Sequence, residues 1–144
     1  MVKYNTAFFA SLETMFEILL KRFGKKIALT IFKEFMELNL TKAYSEILAK
    51  RLSGKGNFKK IVGERDKALG LKVEFEDFNE KSFAYRFLTD PFPNLKGLVK
   101  PEELDAGYLK FKIFYFLGKN WGYKTTKHFW KGDGQTEHII YQTS

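Results

Sequence analysis

Only two histidines occur in the 144 residues, His128 and His138, and Asp133 and Glu137 lie between them. Two imidazoles with a carboxylate nearby can hold a metal ion or move a proton near neutral pH. Residues 123–131 and 136–142 read as the arms of a hairpin that turns at Gly132-Asp133-Gly134, and Asp-Gly is a strong hairpin turn signal. A register that sets Trp130 opposite Thr136 also sets His128 opposite His138 on one face. A slip by one residue separates them, because strand side chains alternate. In the first register they are candidate catalytic residues; in the second they are ordinary strand histidines. Their spacing matches no helical or Cys/His metal motif, so no metal is assigned.

Four further residues are candidates for holding a ligand. Arg86 could grip a carboxylate with two parallel hydrogen bonds, or balance the glutamates around it from an exposed strand. Tyr85 precedes it and faces the other way. Trp130 shares a strand face with His128 and could border a pocket or anchor the core. Asp133 sits in the turn between the two histidines.

Other chemistry is excluded or lacks a motif. The chain has no cysteine, which removes disulfides, thiolate nucleophiles and Cys metal sites. Neither a Gly-x-Ser-x-Gly elbow nor a zincin helix is present. Gly54-Lys55-Gly56 lacks the spacing of a phosphate-binding loop, and Gly118 to Gly122 follows a helix where a dinucleotide fingerprint follows a strand. Glu102 and Glu103 suit a helix start. No cofactor is expected.

The net charge of +8 raises the question of nucleic acid. The positive charge is mostly lysine, with arginine only at 22, 51, 65 and 86, whereas arginine is the usual bidentate reader of phosphates and bases. The densest run, residues 50–60, carries Lys50, Arg51, Lys55, Lys59 and Lys60 without an acid. It reads as a solvated face or as an anion or RNA patch.

These groups must be positioned by a fold that the periodicities outline. Residues 6–23 repeat apolar side chains at helical spacing (Phe8, Leu12, Met15, Phe16, Leu19, Phe23), with Asn5 or Thr6 as cap and Gly24 as stop. A second helix runs from about 26 to 52, with Ile31, Phe35, Leu38, Tyr44, Ile47 and Leu48 on its apolar face and a break or bend at 39–41. A short third helix covers 58–69. The period then becomes alternating: Val73 and Phe75, then Phe83, Tyr85 and Phe87, form two strands about the turn at 79–81. Pro91 and Pro93 mark a loop. Pro101 opens a fourth helix with Leu104, Tyr108, Phe111 and Tyr115 in one stripe, ended by Gly118.

The expected fold is therefore a single α+β domain over 1–144, with helices packed on an antiparallel sheet made of two hairpins. Hydrophobic residues at 44% and sixteen phenylalanines supply a core, with some rings free to line an apolar pocket. Glu13 and Glu17 interrupt the first apolar stretch in a way no signal peptide tolerates, and no run is long enough to span a bilayer. The expected setting is cytoplasmic, without a membrane partner. Exposed aromatics could form a homodimer interface.

From Phe9 to Gln142 the pattern resembles the L-2-amino-thiazoline-4-carboxylic acid hydrolase-like family. The similar features are KRFGKKIA after the first helix, the hairpin VEFEDFNEKSFAYRF, the loop TDPFP and the closing YKTTKHFWKGDGQTEHIIY. The organisation is also similar to four-vinyl-reductase-like small-molecule-binding domains. The resemblance implies an α+β fold with a pocket between the C-terminal hairpin and the helices. Where family members carry cysteine, this chain has Asp90-Pro91, Leu104-Asp105 and Gly134-Gln135, so the family's Cys-dependent chemistry is not expected. The leading expectation is a small-molecule-binding domain for an apolar or carboxylic-acid ligand. The alternatives are a hydrolase of a cyclic C–N bond with a His general base, and a basic nucleic-acid-binding module.

Overall fold

In the computed structural model, residues 6–49 and 53–143 are described. The chain runs α1 (Ala7–Phe23), α2 (Lys25–Ala49), α3 (Lys55–Ala68), β1 (Val73–Asn79), β2 (Ser82–Phe87), α4 (Pro101–Leu117), β3 (Trp121–Lys127), a 3-10 turn (Phe129–Lys131) and β4 (Thr136–Gln142). This is the α+β arrangement the sequence predicts. Asn5, Lys50, Arg51 and Leu52 lie outside the described residues, as do the side chains of Ile47 and Leu48.

Gly24, at φ 84°, separates α1 from α2, a left-handed turn that glycine makes without steric cost. The expected break at 39–41 does not occur. Leu40 is buried, and Thr41 Oγ1 donates back to the Glu37 carbonyl at 2.7 Å, a bond compatible with a continuing helix.

The helical faces differ from the sequence reading. Helix α1 buries Phe9, Leu12, Glu13 and Phe16, leaving Met15 and Phe23 exposed. Helix α2 buries Ala28, Phe32, Met36, Leu40 and Tyr44, a row of four-residue steps, and exposes Phe35 and Leu38. That row faces α1 and α4. Gly107 on α4 makes the approach possible, since a Cβ there would lie 2.9 Å from the Phe32 ring.

The sheet is antiparallel with order β1-β2-β4-β3. Its register sorts the side chains into two faces. One inner row runs Phe75, Tyr85, His138, Thr125, and the next contains Phe83, Ile140 and Tyr123. The helices cover this face: Phe58 of α3 meets Phe75, Phe83 and Tyr85 ring edge to face. The outer face carries the row Glu74, Arg86, Glu137, Lys127.

The loop after β2 folds inward. Phe92, Leu95 and Val99 are buried. Glu13, a buried carboxylate on α1, accepts from the Asn94 backbone N–H at 2.7 Å and its side-chain amide at 2.9 Å. Phe92 then packs edge to face on Phe9 and Phe32.

Gly107→Ala tests the α2–α4 contact. On an exposed helix this change raises stability, because glycine is the poorer helix former. Here the added methyl must displace a buried ring, and overpacking wins. Thermal unfolding is expected to show a loss of about 1 kcal/mol or more; a gain would place Phe32 elsewhere.

Candidate functional site

Helix α4 carries the polar groups that matter on its buried side. Asp105, Tyr108 and Lys112 recur at helical spacing, and all three are buried along with Leu104, Leu109 and Ile113. Charged residues are almost never fully buried unless paired. Both here have partners from other elements.

Lys112 Nζ lies 3.4 Å from Asp66 Oδ1 of α3 and 3.2 Å from the Tyr85 hydroxyl of β2. The Tyr85 hydroxyl donates to Asp66. The ammonium also sits over the Tyr85 and Tyr108 rings at 5.5 and 5.2 Å, within cation–π range. Burial, with the Asp66 charge beside it, holds the Tyr85 hydroxyl well above its ordinary pKa. This triad ties α3, α4 and the sheet together.

A second cluster lies nearer the N-terminus of α4. Asp105 accepts from the Tyr108 hydroxyl at 3.1 Å and from His128 Nε2 at 3.0 Å. His128 Nδ1 in turn accepts from the Trp130 backbone N–H at 3.0 Å, so both its ring nitrogens are engaged. His138 Nε2 is 4.0 Å from the same Asp105 oxygen and has no hydrogen-bond partner, while its Nδ1 shares a 2.9 Å bond with Thr125 Oγ1. Burial among Tyr85, Phe87 and Tyr123 lowers the His138 pKa to about 4. Burial of Tyr108, with Asp105 beside it, raises that hydroxyl.

The two histidines thus approach one carboxylate, though not through the expected hairpin register. Thr125, not His128, stands opposite His138. Strand β3 ends at Lys127 because Asp133 closes a tight loop: its carboxylate accepts from the His128 N–H at 2.9 Å, and its own N–H donates to the His128 carbonyl at 3.2 Å. The expected strand 123–131 therefore ends in a 3-10 turn. Trp130 Nε1 donates to Asp90 Oδ2 at 3.1 Å, clamping the loop after β2. Asp90, itself held above the usual carboxylate range by burial, also accepts from the Phe92 N–H. Among the described residues no group of three His, Cys, Asp or Glu could hold a metal ion.

Arg86 is placed away from these clusters. It lies on the outer sheet face with Glu137 at 2.6 Å, Glu76 at 2.6 Å and Glu74 at 3.7 Å. The hydrogen bonds it donates to Glu137 and Glu76 raise its pKa. Between the C-terminal hairpin and the helices lie a void of about 10 Å³ beside His128 and Trp130 and an open groove of about 470 Å³ lined by Ile113, Phe114, Trp121, Tyr123 and Tyr141. In the basic run, Lys55 and Lys59 reach Asp77 at 3.6 and 2.8 Å.

A narrow cavity, about 30 Å³, lies among α1, α2, α3, α4 and the loop after β2. Phe8, Met36, Leu40 and Phe92 give it apolar walls, and Arg65, Asp66 and Lys112 line it with charge. The Arg65 Nε is buried without a hydrogen-bond partner. Sequence reading named neither Asp66 nor Lys112. The available signal was Asp66 continuing the row Phe58, Val62 on α3, and Asp105 and Lys112 flanking Tyr108 on α4.

His138 supplies a test. Its folded pKa lies below its unfolded value, so the unfolded chain binds the proton first. Its contribution is fully present above about pH 6.5 and falls as pH drops toward about 4, a loss of about 3 kcal/mol across the window. Asp105 opposes the shift; His128 and Lys112 reinforce it. Denaturant melts are expected to show His138→Phe flattening the stability curve in that window, and an unchanged slope would contradict the burial.

No protein-family model matches the chain, and no curated protein sequence is significantly similar. Solved structures are similar in fold. The phenol-responsive sensory domain of the transcription activator PoxR, determined with phenol, superposes with a TM-score of 0.56 at 13% identity, over 99% of this chain and 76% of that one. The Fe(II) unliganded H-NOX protein from K. algicida gives 0.56 at 13% identity, over 100% and 76%. An H-NOX structure solved to probe heme distortion gives 0.56 at 11%, over 99% and 75%. These findings overturn the resemblance to the L-2-amino-thiazoline-4-carboxylic acid hydrolase-like family: no family model supports it, and the structural likeness runs to another group. The chain has the fold shared by H-NOX domains and the PoxR phenol-sensory domain.

Proposed function

We propose that this chain is a small-molecule-binding sensory domain that takes an apolar or aromatic ligand into the cavity among the four helices. The observation that carries the reading is the cavity's build, with apolar walls on one side and charged groups on the other, Asp66 and Lys112 buried and Arg65 partly so. Ligand sites commonly combine largely apolar walls with a few placed polar groups. The similar structures include a phenol-responsive sensory domain and H-NOX proteins, which supports the same reading.

At about 30 Å³ the cavity has room for a water or two, whereas a benzene-sized guest occupies a cavity of about 150 Å³. Entry therefore requires side chains to move. Met36, unbranched and adaptable, and the Phe92 loop, held by Glu13 and Asp90, are the parts suited to yield.

A haem does not fit these residues. It needs an axial side chain such as His, Cys, Met or Tyr. The cavity lining holds neither His nor Cys, its Tyr108 is bonded to Asp105, and its Met36 is packed in the core. His128 and His138 lie outside that lining, walled among aromatic rings.

A ligand that binds only the folded state raises the melting temperature, by about 2.7 kcal/mol of added stability at a hundred times its Kd. Phenol, benzoate and octanoate in a thermal-shift titration are expected to include at least one that shifts the transition. Leu40→Trp, which fills the cavity, is expected to abolish the shift. A shift that survives Leu40→Trp would locate the ligand elsewhere, and no shift with any of them would remove the sensory reading.

A further inference from the structure

We infer that the cavity selects an organic monocarboxylate, an apolar acid whose head sits between Arg65 and Lys112. The inference rests on the cavity reading and names its ligand class.

Charge accounting leads to it. Three charged side chains line the cavity: Arg65, Asp66 and Lys112. Asp66 already faces Lys112 and accepts from Tyr85. Among the described residues Arg65 has no ion pair, and its Nε is buried without a hydrogen-bond partner. The lining therefore carries one cation more than it carries anions. The neighbouring hydroxyls do not restore the balance, because Tyr85 and Tyr108 are both held in their neutral form. Asp105 is taken up by His128 and Tyr108 and borders the smaller void on the other side of Tyr108.

A buried donor without a partner is rare in native structures and asks for one. A cation in excess beside apolar walls attracts an anion, and the Arg65 guanidinium, partly exposed but with its Nε buried, presents that charge to the cavity. A carboxylate meets both needs. It accepts the Arg65 Nε–H, its negative charge balances the surplus, and Lys112, with three donors, can share it with Asp66. The apolar walls formed by Phe8, Met36, Leu40 and Phe92 then require an apolar tail. An inorganic anion would leave those walls empty, and a neutral phenol would leave the charge unbalanced. Arg86, the arginine that sequence alone singles out for a carboxylate, has its donors turned to Glu137 and Glu76 instead.

The test compares acids with neutral partners of the same shape: benzoate against benzamide, octanoate against octanamide, with phenol as a third neutral probe. Calorimetric titration at pH 7 is expected to show at least one carboxylate binding tenfold or more above its amide, about the value of a charge-assisted hydrogen bond. Arg65→Gln removes a partly exposed residue with no ion pair to break among the described residues, so the fold is expected to survive. It should erase the acid-over-amide preference while leaving the weak binding of the amide in place. Lys112→Met probes the second cation, with circular dichroism to confirm folding. Equal or tighter binding of amides or phenol in the parent protein would overturn the inference and leave the cavity reading standing. An acid preference unchanged in Arg65→Gln would overturn the assignment to this site. Binding of none of the five probes would overturn both.

Discussion

The constraint on which the structure turns is the burial of the Lys112 ammonium. A charge taken from water costs several kcal/mol after relaxation, so its neighbours must be fixed closely. Asp66 supplies the opposite charge, Tyr85 a hydroxyl, and the Tyr85 and Tyr108 rings their electron-rich faces. Those partners come from α3, from β2 and from α4 itself. Helix–sheet docking is thereby specified in rotation as well as in distance. Apolar packing alone, which tolerates exchange among residues of similar volume, would specify it less sharply. Asp105 repeats the device nearer the start of the helix, where His128 joins it to the C-terminal loop.

Around these two polar contacts the aromatic residues fill space. Phe58 sits at a junction of rings from α4 and two strands, and Phe32 and Phe92 bridge α1 and α2 to the loop after β2. The loop is held at both ends by carboxylates, Glu13 from α1 and Asp90 under Trp130. The cavity lies where these arrangements meet. Its apolar side is closed by flexible or loop-borne side chains, and its polar side is built on two rigid helices.

The element order was legible because each period is long and its stops are strong: Gly24, Pro101 and Gly118 all terminate or open helices where expected. The hairpin of β1 and β2 was legible from its alternation. Helix faces were less so. Apolar residues surround α1 and α2 on more than one side, so Met15, Phe35 and Leu38 read as core although they are exposed. The C-terminal register was not legible, since the Asp133 contacts that end β3 depend on side-chain geometry that spacing does not encode. The cavity charges were missed for a related reason. Asp66, Arg65 and Lys112 look like ordinary surface residues of amphipathic helices, and only the packing of α3 against α4 turns them inward. A diffuse sequence pattern also suggested the wrong family, where the backbone arrangement leads to the H-NOX fold.

Met36 lines the cavity, whereas Met15 is more than half exposed and is absent from its lining. Methyl-¹³C methionine NMR during titration with benzoate or octanoate therefore reads the central claim directly. The account predicts that the Met36 methyl resonance moves and saturates with ligand while the Met15 resonance stays in place. Movement of Met15 with an unchanged Met36 would contradict it, because the ligand would then sit on the outer surface of α1 and not among the helices.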